Sequence, residues 1–329
     1  MSELSISVEP LSDDILAAYV ASGMDRAKKG RIGLDWAFQG NQKPFAVARL
    51  DGEVVGISAY IRSSLNLSGR HGVALQAVDS FVFERARGKG VFTGLARAYE
   101  RHAREEGADL VWGFPNANAA PAWFGKLNWN ALGQVPFLIK PLRVGFLLRK
   151  LKLPLDFPVS FSSDQKISSI SAFGEWSDAL WSSLSEGIGC GTARDRSFLS
   201  HRLLKSPSAS TYRIVASEQD RGAIVATTEA AKHGGHIGYL LEAMGHSDLD
   251  GLLASELGRL RDRGVEVVLA WSYPWSTNYC SLRKAGFFPL PERLRPIQIW
   301  FGSHPLSATA TAAAEAKNWY LSYLDSDTI

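Results

Sequence analysis

The chain has 329 residues, of which 46% are hydrophobic and 21% charged, and its formal net charge is +3. This composition predicts a globular protein long enough for two domains, and so small a net charge argues against a nucleic-acid partner. The two cysteines, Cys190 and Cys280, and the seven scattered histidines predict neither a disulfide framework nor a metal site, and without a signal peptide or an 18-residue apolar run the chain is expected to be cytoplasmic.

The first half of the chain begins with a predicted hairpin and continues into a strand, a turn and a helix. Residues 44–60 read as two strands joined by Asp-Gly at 51–52, a dipeptide typical of tight hairpin turns. An apolar strand is predicted over 75–83, and helically spaced apolar residues predict a helix over 91–106. A buried strand over 109–114 follows. This order of elements predicts a mixed α/β domain.

The turn between that strand and helix carries the strongest signal in the sequence. It reads Arg85-Ala-Arg87-Gly88-Lys89-Gly90 and leads directly into a helix N-terminus. Backbone N–H groups there have no intrahelical partner, and the helix dipole adds partial positive charge. Two glycines without Cβ atoms let a phosphate approach the backbone, and three cations add full charge. The turn is therefore predicted to bind a pyrophosphate.

The spacing of this turn fits neither the P-loop nor the dinucleotide-binding fingerprint. Arg85-x-x-Gly88-x-Gly90 resembles the R-x-x-G-x-G/A signature of the GNAT acyltransferase superfamily, in which the loop holds the pyrophosphate of acyl-CoA. The resemblance implies acyl-CoA as co-substrate, either acetyl-CoA or a short hydroxyacyl-CoA, and no metal. The residues that it assigns to CoA binding are Phe81, Val82, Phe83, Arg85, Arg87, Gly88, Lys89, Gly90, Val91, Phe92, Asn116, Asn118 and Phe124.

The segment after the fifth predicted element extends the resemblance. Residues 116–129 resemble the GNAT pattern N-x-x-A-x-x-x-Y-x-K-x-G-F, where the pantetheine arm lies between two diverging strands. Asn116 or Asn118 would hold the pantetheine or the substrate, or would cap the following helix. The sequence departs from the pattern at Asn128, which replaces glycine, and at Phe124, which replaces a tyrosine that protonates the departing thiolate in many members. The general acid is then water or a residue elsewhere.

Asp79 is the candidate catalytic base. It lies in an apolar strand just before the phosphate loop, and in the GNAT family an acidic residue on this strand often receives the proton of the attacking amine, directly or through water. Simple alternation puts it on one face with Ala77, Phe81 and Phe83, and a bulge in the strand would change that. The alternative is that Asp79 caps or orients the backbone without titrating.

The second half repeats the first weakly but in order. A hairpin over 211–228 and a strand over 265–271 parallel their counterparts, with chance similarity between two α/β halves as the alternative. The phosphate loop is missing, because Asp248 and Asp250 stand there and would repel a pyrophosphate. We therefore expect two tandem GNAT-like domains with mixed α+β sheets, at 1–141 and 161–329, the second without a CoA loop.

The connection between the domains, 142–160, overlaps a basic and apolar stretch. Residues 140–152 are interpreted either as a peripheral membrane contact or, preferably, as a linker whose apolar side chains pack between the domains. The cations Lys140 and Arg143 are also candidates for binding an anionic acceptor.

The acceptor is suggested by a further resemblance. The second half is similar to two-domain GNAT proteins of bacterial surface-polysaccharide clusters, including N-acyltransferases for nucleotide-linked amino sugars, which implies such an acceptor in a cleft between the domains. The local alternatives for the residues concerned are ion pairs, core packing and a frayed terminus. The residues are Arg194, Arg202, Tyr273, Trp275, Asp325 and Asp327. Competing functions are a GNAT enzyme for another amine, a FemABX-like aminoacyl transferase, and a non-catalytic acyl-CoA sensor.

Overall fold

The computed structural model describes residues 3–24, 30–143, 167–217, 222–232, 235–246, 248–295 and 297–326. Within these described residues, fifteen strands form two sheets, and seven α-helices lie against them. The strands are β1 Leu4–Glu9, β2 Phe45–Leu50, β3 Glu53–Leu67, β4 Arg70–Val82, β5 Leu110–Gly113, β6 Asn130–Gln134, β7 Phe137–Pro141, β8 Ile167–Ser169, β9 Cys190–Thr192, β10 Arg213–Ser217, β11 Ala223–Lys232, β12 Gly235–Gly245, β13 Val267–Trp271, β14 Phe288–Pro289 and β15 Trp300–Pro305. The helices are α1 Asp13–Ser22, α2 Gly30–Ala37, α3 Val91–Glu105, α4 Glu175–Ser185, α5 Arg196–Leu199, α6 Leu249–Asp262 and α7 Tyr279–Lys284.

The two sheets have the same strand order, and each contains one strand from the other half of the chain: β15 in the first sheet and β7 in the second. The first sheet runs β1-β2-β3-β4-β5-β15-β6, with β9 added to β3, and the second runs β8-β10-β11-β12-β13-β7-β14. Among the described strands, neighbours pair antiparallel except β4 with β5 and β12 with β13. These mixed α/β sheets are consistent with two tandem GNAT-like domains and confirm the predicted fold class.

The exchange links the two halves of the chain through their sheets. β15, from the end of the chain, lies between β5 and β6, with Gly302 opposite Gly113. β7, from the first half of the chain, lies between β13 and β14 in the second sheet, with Leu269 opposite Ile139. Each sheet is therefore completed by a strand from the other half. The domain boundary predicted at residue 141 stays a prediction.

Local sequence accounts for the elements that frame the site. The hairpin predicted around residues 51–52 is confirmed, and both turn residues have positive φ, Asp51 at 52° and Gly52 at 86°, as tight hairpin turns require. The helix predicted over 91–106 is confirmed as α3. It ends before Gly107, which has φ of 70° and so adopts the left-handed conformation that terminates many helices.

Three of the apolar clusters among the described residues hold the sheets and their main helices together. One lies between α3 and the first sheet, and another between α6 and the second sheet. The third lies between the sheets and is rich in aromatic side chains, each of which stabilises the fold by about 1.5–3 kcal/mol on full burial. Its largest rings belong to Trp112, Phe137, Trp271, Phe301 and Trp319. Within the described ranges, no helix has the length and apolar character needed to span a membrane.

Candidate active site

The site lies where two parallel strands diverge. The pairing of β4 with β5 runs from Ala74 opposite Leu110 to Ala77 opposite Gly113 and then ends. A Cβ at Gly113 would come within 2.8 Å of the Ala77 carbonyl oxygen, so the strands are as close there as glycine allows. Past this point they separate, and a cavity of about 710 Å³ opens. It is lined by Ser22, Met24, Ser80, Phe81, Val82, Ala86, Arg87, Gly88, Gly90, Val91, Phe92, Thr93, Asn116, Asn118, Ala119, Ala122 and Lys126.

β4 carries a bulge at the candidate base. Val78 pairs with Ala59 and Phe81 with Ile57, so three steps on β4 lie opposite two on β3. Asp79 has φ of 44°, a left-handed conformation that aspartate tolerates better than most residues. The simple alternation of Asp79 with Phe81 is therefore wrong, because the extra residue breaks it. Backbone outliers of this kind cluster at functional sites.

The predicted phosphate loop forms the mouth of the cavity. Gly88 and Gly90 have φ of 77° and 74°, and Gly90 is the N-cap residue of α3. Among the described residues, the backbone N–H groups of 88–93 have no hydrogen-bond acceptor. They remain available at the positive end of the helix dipole, which suits an anionic ligand.

Two cations line the cavity, Arg87 and Lys126, and none of its described lining residues is acidic. Arg87 donates from Nε to the Val82 carbonyl oxygen at 3.1 Å, and Lys126 comes from the segment after β5. Arg85 instead pairs with Glu53 at 2.7 Å on the surface, and Lys89 is exposed outside the lining. The cavity lining therefore brings together one predicted cation and one that the prediction did not include.

The segment after β5 closes the far wall. The Asn116 side-chain oxygen accepts hydrogen bonds from the backbone N–H groups of Asn118 and Ala119, both at 3.0 Å. Asn116 thus caps the turn that follows it, and both Asn116 and Asn118 line the cavity, so their role in binding a ligand stays a prediction. Phe124 is outside the lining. It packs against β15, where a Cβ at Gly302 would lie 2.8 Å from its ring.

Several cavity residues were not among the sequence candidates. Lys126 is the lysine of the quoted GNAT pattern, so its position in that pattern could have identified it. Ser80 follows Asp79 in the bulge and could have been found from the same strand. Ser22 and Met24 come from the end of α1, and no local motif marks them.

The candidate acceptor residues of the second half lie mainly in buried contacts. Arg194 is fully buried and donates to Glu242 at 3.1 Å, to Ser322 at 3.2 Å and to Asp325. Asp325 is 4% exposed and also accepts from the Ser322 backbone N–H. A ligand contact by Arg194 or Asp325 would have to compete with this network. Breaking it would leave a buried charge without its partner, which is strongly destabilising.

The other acceptor candidates contact neighbouring protein groups or lie outside the described residues. Arg202 donates to the backbone oxygens of Leu324 and Ser326, at 3.0 and 2.5 Å. Tyr273 is buried, and Trp275 stacks on it while remaining 46% exposed. Asp327 and most of the predicted linker, 144–160, lie outside the described residues. None of the described acceptor candidates lines the cavity, and their roles stay predictions.

The matching opening in the second sheet is filled by protein. Parallel pairing of β12 with β13 ends at Tyr239 opposite Leu269. Beyond it, Asn278 donates to the Ala243 carbonyl oxygen at 2.8 Å and accepts from Ser272 at 2.8 Å. β12 also has a register shift at this point, opposite residues 226–227 of β11. The second sheet thus keeps the divergence of strands but not the free space.

Comparisons with known proteins agree with this geometry. Residues 27–132 match the sequence model described as the acetyltransferase (GNAT) domain. No curated protein matches the sequence.

Solved structures resemble the chain over nearly its whole length. A GCN5-related N-acetyltransferase from Kribbella flavida has a TM-score of 0.66 at 15% identity, covering 95% of this chain and 74% of its own. One from Anabaena variabilis has a TM-score of 0.67 at 11% identity, covering 94% and 75%. Saccharomyces cerevisiae N-myristoyltransferase with bound myristoyl-CoA has a TM-score of 0.59 at 12% identity, covering 92% and 83%. At such identities the likeness shows the fold. Together with the GNAT domain, it supports an N-acyltransferase.

Proposed function

We propose that this protein transfers an acyl group from acyl-CoA to the amine of a small acceptor. The observation that carries the proposal is the cavity at the divergence of β4 and β5, which ends at the unpaired N–H groups of residues 88–93. A pyrophosphate would lie at those groups, where Arg87 of the same loop would contribute positive charge, and Lys126 of the cavity lining is a second candidate. The pantetheine arm would follow β4 toward the bulge, where its backbone is no longer paired with β5.

The reaction that we propose is direct attack of the amine on the thioester. The amine must be neutral, and amines with a pKa of about 8 need a modest base near pH 7. Asp79 would take the proton, directly or through water, because it lies on β4 beside the cavity-lining Ser80. Backbone N–H groups of residues 81–83 would polarise the thioester carbonyl. Since Phe124 faces β15, the thiolate would take its proton from water or from another residue.

The acceptor that we propose is a nucleotide-linked amino sugar, and the acyl group is acetyl or a short hydroxyacyl. Support for this sugar comes from the sequence resemblance of the second half. The contacts of the acceptor residues do not add to it, because Arg194 and Arg202 are bonded to neighbouring protein groups. An acceptor of this kind carries its own pyrophosphate and needs cations. Lys140, about half-buried, has its pKa lowered by that burial.

The proposal is distinguished from its alternatives by the loop. A FemABX-like aminoacyl transferase would not need a basic CoA loop, and this chain has one with an open cavity behind it. An acyl-CoA sensor would bind the thioester without consuming it.

The deciding experiment is release of CoA thiol from acetyl-CoA in the presence of amines. The panel comprises nucleotide-linked amino sugars, aminoglycosides, polyamines and lysine peptides. We expect amine-dependent release, highest with the nucleotide-linked sugars. Turnover restricted to peptides or polyamines would reject the sugar and keep the transferase. Tight acetyl-CoA binding without turnover on any amine would favour the sensor and reject the transferase.

A further inference from the structure

A row of three hydroxyl groups leads from the cavity into the first sheet. Ser80 lines the cavity, and its Oγ lies 2.8 Å from the Oγ of Ser58. Ser58 is 3% exposed and donates its hydrogen to the hydroxyl of Tyr60, at 3.2 Å. Tyr60 is 1% exposed and stacks on Tyr99 with ring centroids 3.5 Å apart. The row is therefore fixed at its buried end and reaches the ligand space at Ser80.

Each serine hydroxyl has a single hydrogen, and this determines which group donates and which accepts along the row. A serine hydroxyl has one hydrogen to donate and two lone pairs that accept. Since Ser58 gives its hydrogen to Tyr60, the hydrogen between the two serines must come from Ser80. The Oγ of Ser80 is then left with lone pairs and no hydrogen for the cavity. Ser80 is an acceptor toward a bound ligand.

The position of Ser80 shows which part of the ligand it meets. The pyrophosphate end of the cavity is at residues 86–91, and along β4 the lining runs from Val82 back to Ser80. Ser80 is thus the lining residue of β4 farthest from the phosphate loop, and it adjoins Asp79 in the bulge. In the proposed reaction, the thioester and the attacking amine would meet at this end. An acceptor there suits an N–H group.

We propose that Ser80 binds an N–H of the attacking amine and so directs the nitrogen lone pair at the thioester carbon. This inference rests on the proposed function. The amine nitrogen bonds to the thioester carbon, the C–S bond breaks with its electron pair going to sulfur, and the amine proton goes to Asp79 or its water. Ser80 keeps its proton throughout. The row cannot serve as a base, because it ends at Tyr60, whose pKa burial raises above its usual range.

The test compares Ser80→Ala with the wild-type chain in steady-state kinetics. Losing one hydrogen bond to the amine should lower kcat/KM for the amine roughly tenfold. The KM for acyl-CoA and the shape of the pH–rate profile should stay unchanged, because Ser80 neither holds the CoA arm nor titrates. Ser80→Thr keeps the hydroxyl and should restore most of the rate. Ser58→Ala should cost less, about threefold, because Ser80 keeps its oxygen but loses its fixed orientation.

The matched control is Ser63→Ala, which removes a buried hydroxyl from β3 outside the cavity lining and should leave the kinetics unchanged. Wild-type kinetics for Ser80→Ala would overturn the proposal. So would a raised KM for acyl-CoA with unchanged amine parameters, since the N–H would then belong to the pantetheine arm. Absence of turnover in the wild-type chain would instead reject the proposed function, on which this inference depends.

Discussion

The two sheets of this protein offer a comparison between a cavity that is open and one that is filled. In the first sheet, β4 and β5 separate after Ala77 and Gly113, and the space beyond is free for a ligand. In the second, β12 and β13 separate in the same way, but Asn278 spans the opening with hydrogen bonds to Ala243 and Ser272. The strand order is common to both. The two sheets differ in what lies between the separated strands: free space in the first sheet and the Asn278 side chain in the second.

The connections after the fourth strands differ as well. Residues 83–90 separate β4 from α3 and form the glycine-containing basic turn, whereas residues 246–248 separate β12 from α6. Asp250 in the first turn of α6 pairs with Lys284 at 2.8 Å. A carboxylate at a helix N-terminus satisfies the dipole internally, so no outside anion is needed. Two sheets can therefore share a strand order and differ at the place where a ligand would bind, and function has to be argued from the site.

Blocking the open turn should have the largest effect on acyl-CoA binding. Gly90→Val places a branched side chain at φ of 74° among the N–H groups assigned to the pyrophosphate. Since several charge-assisted hydrogen bonds would be lost together, we expect acyl-CoA to bind about 100-fold more weakly in calorimetric titration. Gly107→Val is the control, because its φ of 70° carries similar strain at the other end of α3. Equal loss of affinity in both variants would mean that misfolding, not the site, is responsible.

Removing the candidate base should act on the rate and not on binding. Asp79→Asn preserves the shape and tolerates the φ of 44°, so the bulge should persist. We expect kcat to fall by about 10²–10⁴-fold with acyl-CoA affinity retained. The loss should shrink at high pH, where the amine deprotonates unaided. Wild-type rates across the pH range would remove Asp79 from the mechanism.

The cations that line the cavity should matter for acyl-CoA binding, and a loop cation outside the lining should not. Arg87→Ala and Lys126→Ala should each weaken acyl-CoA binding about 5–20-fold, less at high salt. Arg85→Ala should change it less than about twofold, because Arg85 pairs with Glu53 on the surface. If Arg85→Ala had the larger effect, the loop would have to rearrange when CoA binds.

The smallest effect on kcat is expected for Phe124→Tyr, although the GNAT pattern would suggest a higher rate. Phe124→Tyr restores the tyrosine of that pattern, but the ring lies against Gly302 and Trp300, outside the cavity lining. We expect kcat to stay within about twofold, since a general acid contributes about 10²–10⁴-fold only when it reaches the leaving group. A tenfold rise in single-turnover rate would place the hydroxyl at the sulfur.

Sequence reasoning worked where the structure is set by local chemistry. The turn at 51–52, the loop at 85–90 and the helix after it follow from glycine conformation, capping and apolar spacing. The missing loop of the second half was also readable, from Asp248 and Asp250 standing in its place. The bulge at Asp79 was less accessible, because it depends on how two strands pair and not on one residue.

The exchanged strands and the buried charges could not be read in this way. No local sequence signal assigns β7 or β15 to a sheet, because their partner strands are distant in sequence. Arg194 looked like a contact for an anionic ligand because its partners are not local. Glu242 and Asp325 lie 48 and 131 positions further along the chain. Such pairs become visible when the two sheets are assembled.

The central claim is that one sheet binds acyl-CoA and the other does not. The most direct measurement is calorimetric titration of the whole chain with acetyl-CoA, using Asp248→Ala and Gly90→Val in parallel. The account predicts one site per chain, with an affinity that is unchanged by Asp248→Ala and about 100-fold weaker in Gly90→Val. Two sites per chain, or an affinity that is unchanged in Gly90→Val and lowered in Asp248→Ala, would contradict it.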